Sequence, residues 1–305
     1  MTPPVWPEQR AVEVADGVVA VVHGNGEAGV SNAGLVIDDG GEERTALVVD
    51  TMMFPAMANG LRDELTRRGA RPRLVVNTHP HIDHVGGNAA FADVPVVAHP
   101  VVGETVRATG LPVAIFDAFM PAFRGEFEKL GRVEPPAPVA SPEDIDALRL
   151  PKGAQLRSYV PAHTPADTAV WLANDGVLFT GDLCFLGVSP LAIQGLVSAW
   201  VAALDDLIAL APDVVVPGHG PVGTTRDVAI VRDHLATLLE VGRAAVAAGA
   251  SIDDAYAELD AGPVGGWIEA ERIKPNLERA MQEARGDIAP GRLDALPPSA
   301  YALLH

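Results

Sequence analysis

Six residues near position 80 constrain this chain more than any other stretch. In Asn77-Thr78-His79-Pro80-His81-Ile82-Asp83-His84-Val85-Gly86-Gly87-Asn88, side chains of metal-ligating type stand at 79, 81, 83 and 84. The apolar run Leu74-Val75-Val76 before them has the length and branching of a buried strand, and Gly86-Gly87 followed by Asn88-Ala89-Ala90-Phe91 reads as a helix start. The cluster therefore stands where a strand ends. Alternation in His79-Pro80-His81 points two imidazoles the same way, whereas adjacent Asp83 and His84 diverge and can serve a second ion. A histidine-rich solvated turn is the bland alternative, and the position behind a buried strand argues against it.

Three later residues share that strand-end context. The run at 156–160 leads to His163; a hairpin signal, strands at 169–173 and 177–180 joined by Asn174-Asp175-Gly176, leads to Gly181-Asp182; and Asp213-Val214-Val215-Val216-Pro217 leads to Gly218-His219. Each of His163, Asp182 and His219 is expected to terminate a strand. A lone histidine there is more often a hydrogen-bonded structural residue. Added to the dense motif, the three complete seven ligands, enough for a two-metal site.

His-x-His-x-Asp-His after a strand, with these downstream partners, resembles the signature of the metallo-β-lactamase-fold hydrolase superfamily over roughly residues 10 to 225. The resemblance implies an αββα four-layer sandwich. It places His79, His81 and His163 on a first metal, Asp83, His84 and His219 on a second, and Asp182 between them. It also implies a hydroxide shared by two divalent ions, zinc first with iron or manganese as alternatives, the bound water's pKa falling from about 15.7 to about 7. Asp83 would then orient the nucleophile and pass a proton to the leaving group. True metallo-β-lactamases usually carry Cys or Ser where Asp182 stands. Hydroxyacylglutathione hydrolases share all seven ligands, yet their Gly-His-Thr-x-Gly-His motif is changed here to Ala162-His163-Thr164-Pro165-Ala166-Asp167, and basic residues to hold glutathione are not evident.

Composition narrows the partners. With 22 basic and 40 acidic residues among 305 the net charge is -18, so nucleic acid would be repelled, and no basic patch opposes that field. The single cysteine, Cys184, excludes an intrachain disulfide and a thiolate zinc cluster. No apolar run approaches the roughly 20 residues of a membrane span, and the first residues lack a signal-peptide pattern, so a cytoplasmic protein without membrane contact is expected.

Runs at 18–22, 33–37 and 45–49, split by Gly- and Asp-rich turns, predict an antiparallel meander, and 57–68 predicts a helix stopped by Gly69. Asp50 reads either as a strand-end turn residue or as a support for the metal ligands. A strand is predicted over 94–98 and a helix over 101–109. Residues 110–151 depart from this rhythm and read as an insertion in a first domain, 1–225. Phe116, Phe119, Met120, Phe123 and Phe127 follow the apolar face of a helix, which is either a local packing cluster or a lid lining a substrate pocket. Residues 226–305 read as a helical extension, with helices over 228–248, 252–259 and 268–285, packed on the sandwich or serving a homodimer. Glu269, Glu271, Arg272, Lys274 and Arg279 are expected to form its solvated face.

The functional expectation is a binuclear metal-dependent hydrolase acting on an ester, thioester or lactone of a small, partly apolar molecule. The competing readings are a mononuclear iron oxygenase resembling the persulfide dioxygenases, a β-lactamase, and a metal-binding protein without activity.

Overall fold

A computed structural model of the chain describes residues 7–26, 29–109, 123–130, 133–288 and 296–300. Seven strands form one sheet in the order β1 (Gln9–Ala15), β2 (Val18–His23), β3 (Ala33–Asp38), β4 (Thr45–Val49), β5 (Arg71–Val76), β6 (Val96–Ala98) and β7 (Ala137–Pro138). The first four pair antiparallel, and β4 through β7 pair parallel. The second sheet runs β11 (Val214–His219), β10 (Val177–Phe185), β9 (Asp167–Leu172), β8 (Gln155–Tyr159).

Hydrophobic patterning decides how the layers stack. Val18, Ala20, Val22, Val36, Leu47, Leu74 and Val76 of the first sheet meet Val170, Leu172, Val177, Phe179 and Val216 of the second in one buried cluster. Alternate residues of the first sheet, Val19, Leu35, Val48 and Val75, pack outward against Met57, Leu61 and Leu65 of helix α1 (Pro55–Arg67). The opposite outer layer covers the second sheet: α6 (Val197–Ala209), α7 (Thr225–Ala248) and α9 (Ile273–Arg285) bury Trp200, Leu204, Leu235, Leu238 and Leu277 against Leu178, Leu183 and Val215. Helix, sheet, sheet, helix is the expected αββα sandwich. The C-terminal helices are part of one outer layer, packed on α6 and β10.

Several boundaries differ from the sequence reading. Strand β1, which the sequence reading did not include, is a largely exposed edge strand. Strand β10 does not stop at Thr180 but continues through Asp182 to Phe185. The predicted 268–285 helix begins only at Ile273, because Ile268 pairs with Val188 and Glu269 takes a left-handed φ of 57°. Between Gly110 and Pro151 the described residues form α4 (Arg124–Leu130), α5 (Pro142–Ala147) and β7, which extends the first sheet. Phe116, Phe119 and Met120 lie outside the described residues. Among the described residues, no helix is long and apolar enough to cross a membrane.

Candidate metal centre

The motif emerges from β5 at the edge where both sheets open. Asn77 follows the strand's buried end, and the chain turns at His81 into a one-turn helix, α2 (Ile82–Val85), whose last two amides, of His84 and Val85, donate to the His81 carbonyl at 3.0 and 3.2 Å. That turn carries Asp83 and His84 inward. Their backbone is pinned from below: Thr51 N donates to the His84 carbonyl at 2.9 Å, and Asn77, Asn88 and Thr51 exchange side-chain hydrogen bonds of 2.8–3.1 Å. The other ligands arrive from the second sheet. His163 lies in the turn between β8 and β9, and His219 is the last residue of β11. Asp182 sits within β10 where the pairing with β11 is irregular, and Gly218 opposite it has no room for a Cβ, which would collide with the Asp182 carboxylate.

All seven predicted ligands converge, in two groups. His79, His81, His163 and Asp182 offer atoms within 4.8 Å of one another, as do Asp83, His84 and His219. Asp182 divides its oxygens between them. Its Oδ2 lies 3.5 Å from both His79 Nε2 and His163 Nε2, and its Oδ1 lies 3.0 Å from His84 Nε2 and 3.4 Å from His219 Nε2. Asp83 Oδ2 faces the second group, 3.3 Å from His219 Nε2, while His81 Nδ1 faces the first, 3.3 Å from His163 Nε2.

Outward ring nitrogens are held by other groups. His79 Nδ1 meets Thr78 Oγ1 at 3.0 Å, and Thr78 Oγ1 donates to Asp50 Oδ2 at 2.7 Å; the same Asp50 oxygen accepts from His84 Nδ1 at 2.8 Å. Asp50 therefore supports the ligands and does not merely end a strand, and the backbone gives it a left-handed φ of 61° to do so. His219 Nδ1 donates to the Val30 carbonyl at 3.0 Å, and His81 Nε2 to Gln194 Oε1 at 2.7 Å. The His163 ring rests on Trp200, with centroids 4.8 Å apart. Gln194 has no sequence signal, since it lies 113 residues from its partner in an irregular loop.

Burial and neighbouring charge reinforce each other at His79 and His81 and oppose each other at His84, His219, Asp83 and Asp182. Burial, then the neighbouring His84, holds His79 well below the ordinary histidine value, and burial with His163 lowers His81. Burial also disfavours charge on His84 and His219, yet the carboxylates, Asp182 foremost, lift His84 well above its usual value and His219 to about 9. Asp182 and Asp83 remain ionised despite burial because of the surrounding imidazoles. His79 Nε2, His84 Nε2 and Asp182 Oδ1 are buried at close range without hydrogen-bond geometry to any partner. Converging lone pairs of mixed nitrogen and oxygen donors, left unsatisfied in a buried place, fit divalent cations, with zinc suited to the set.

Phe123 does not join this cluster. Its ring stacks on Phe54, centroids 6.1 Å apart, and Phe127 meets the same ring edge-on at 4.8 Å, so the described aromatics of the segment pack on the α1 side of the first sheet. Arg272 and Arg279, expected on a solvated face, are buried, 8% and 1% exposed. With Asn276 they follow a helical i, i+4, i+7 spacing, a polar stripe that sequence could have revealed as facing something specific.

Known proteins agree with this architecture. A hydroxyacylglutathione hydrolase from Methylococcus capsulatus is 30% identical over 194 residues, covering 63% of this chain and 62% of that protein, so the match spans less than two thirds of the relative's length. Another of that name from Gloeobacter violaceus is 28% identical over 81% of this chain and 86% of its own. The structure of a stereoselective inverting sec-alkylsulfatase from Pseudomonas sp. superposes with a TM-score of 0.64 over 95% of this chain and 52% of its own at 20% identity, a likeness of fold. Residues 26–219, well over half of the sequence and the span bearing all seven candidate ligands, match the family profile, and the chain belongs to the metallo-beta-lactamase superfamily.

Proposed function

We propose that this protein is a binuclear metal-dependent hydrolase that cleaves an ester, thioester or lactone bond of a small, partly apolar substrate. The observation that carries the reading is the division of the Asp182 carboxylate, one oxygen toward each ligand group. His79, His81, His163 and Asp182 would hold one ion, and Asp83, His84, His219 and Asp182 the other. When bound, such ions supply a water of lowered pKa and Lewis acidity toward the scissile carbonyl.

The chain's own groups supply the rest. Asp83, fixed through its carbonyl by the Ser31 hydroxyl and ionised among imidazoles, is the carboxylate assigned to orient the attacking water and to move a proton toward the leaving alcohol or thiol. Asp50 and Thr78 fix the planes of His84 and His79, so the site needs little rearrangement on binding. Phe185 stacks on His219 at 5.0 Å and, with Trp200, keeps water from the protein side of the ligands. Relatives named hydroxyacylglutathione hydrolase support the thioester member of this class. Asp167, at the altered end of the His163 motif, is turned inward to accept from Thr164 N at 2.9 Å and Thr164 Oγ1 at 3.0 Å, a capping role in the turn.

Elemental analysis after mild zinc or manganese supplementation, beside turnover of thioester, lactone and ester panels, tests the proposal. Two ions per chain with hydrolysis of one panel is the expected result. A firm single iron with oxygen consumption would replace it with the oxygenase reading.

A further inference from the structure

The buried polar stripe formed by α9 and by Arg272 just before it addresses one loop. Arg272 Nη1 donates to the Ser189 carbonyl at 3.1 Å, and Asn276 Nδ2 to the Pro190 carbonyl at 2.7 Å. Asn276 Oδ1 accepts from Ala192 N at 2.7 Å, and Arg279 Nη2 donates to the Gly195 carbonyl at 2.7 Å. From the other side the loop is pressed on the His163 turn: Leu196 N donates to the Ala162 carbonyl at 3.0 Å, and a Cβ at Gly195 would collide with that same carbonyl. Between these anchors stands Gln194, its Oε1 2.7 Å from His81 Nε2.

We propose that Gln194 is a positioning residue for His81 and that helix α9 sets its reach through Asn276. The inference rests on the reading of the first ligand group as a metal position. A neutral imidazole has one N–H and one lone pair. His79, His84 and His219 turn Nε2 inward and brace Nδ1, whereas His81 does the reverse, with Nδ1 inward and Nε2 on Gln194. To offer its Nδ1 lone pair, His81 must carry its proton on Nε2. An acceptor at Nε2 selects that tautomer and fixes the ring plane. The acceptor comes from a loop without regular structure, so its position depends on what holds the loop. Asn276 is fully buried and bonds it twice, once as donor and once as acceptor.

The experiment compares wild type, Gln194→Leu, Gln194→Glu, Asn276→Ala and the Gln194→Leu/Asn276→Ala double variant, each intact by circular dichroism. Zinc affinities are measured by chelator competition, the absorption of the cobalt-substituted proteins is recorded, and His81 ring 15N shifts are read on metal-free protein. Wild type should bind two ions, with the His81 proton on Nε2. Gln194→Leu should weaken one ion by about 10–100-fold, shift one set of cobalt bands and mix the tautomers, while Gln194→Glu, which keeps an acceptor, restores affinity to within a few-fold. Asn276→Ala should weaken the same ion, and the double variant should be no weaker than Gln194→Leu alone. Unchanged affinities and tautomer in Gln194→Leu overturn the proposal, and if leucine prevents folding, Gln194→Met carries the same reading. Additive losses overturn the role of α9. Wild type with fewer than two ions sinks the binuclear reading and this inference with it, whereas two ions in wild type and an indifferent Gln194→Leu sink this inference alone.

Discussion

His79, His84 and His219 are braced from the seven-stranded side, His84 directly and His79 through Thr78 by Asp50, and His219 by the Val30 carbonyl. His81 and His163 are braced from the opposite side, by Gln194 and by the Trp200 ring, which belong to the loop and helix beneath the C-terminal layer. The first wall uses ionic and backbone acceptors fixed at strand ends. The second uses an amide on an irregular loop and an apolar contact, both dependent on distant helices. Strand-end groups inherit the order of the sheet, whereas loop groups are only as well placed as their anchors. The outer helical layer is thus a working part of the centre under the proposed function.

Asp182 belongs to both walls, and its loss should break both. Asp182→Asn keeps the size and removes the charge shared by the two groups, so the second ion should be lost and hydrolysis should fall by more than the roughly 10–100-fold typical of removing an outer partner. Metal analysis beside steady-state kinetics checks this, and a fully loaded, normally active variant would refute the shared role.

The helix-backed wall should show the largest loss of stability. Trp200 is fully buried, donates from Nε1 to the Leu183 carbonyl at 2.9 Å and packs on His163, so Trp200→Ala should cost about 3–5 kcal/mol in denaturant unfolding. Trp200→Phe should cost less and keep the ring contact.

On the sheet-backed wall the expected signature is different. Asp50→Asn removes the charged acceptor that serves His84 and, through Thr78, His79, so it should weaken both ions by about 10–100-fold, in contrast to the single ion affected by Gln194→Leu. If only one ion weakens, the two walls are not distinct in the way described.

The helical layer carries its own acid sensitivity. Burial, partly offset by a hydrogen bond with the Ala261 backbone, lowers His234 from 6.5 to about 4. The folded state therefore binds fewer protons than the unfolded one across that window. Stability is intact above the unfolded value of 6.5, is lost as the pH falls from there through about 4, and levels off below. The loss should reach about 2 kcal/mol near pH 5 at about 1.4 kcal/mol per pH unit, and a non-titrating His234→Gln should flatten it in urea unfolding measured against pH.

The smallest effect is expected on the α1 side of the first sheet. Phe123→Ala should cost about 0.5–1.5 kcal/mol for its stack on Phe54, with the Michaelis constant unchanged. A raised Michaelis constant with unaltered melting would instead make this aromatic part of a substrate lid.

Legibility followed the range of the interactions. The His79–His84 motif, the strands entering it and the hairpin before Asp182 were readable because apolar periodicity and turn residues are local signals. Strand β1 was not, since an exposed edge strand lacks a buried face. The helix start at 268 misled for another reason: the Val188 to Ile268 bridge overrides local helical preference.

The sequence by itself determined which atoms could be ligands, that they stand near strand ends, and hence the family and the layered fold, because ligand type and strand patterning are properties of single residues and their neighbours. Only the tertiary structure decided which Asp182 oxygen faces which group, that Asp50 supports both, and that Arg272, Asn276 and Arg279 turn inward to hold the loop bearing Gln194. Those facts depend on side chains many residues apart meeting in a buried place. There an unpaired polar group is costly, and its partner is selected by geometry.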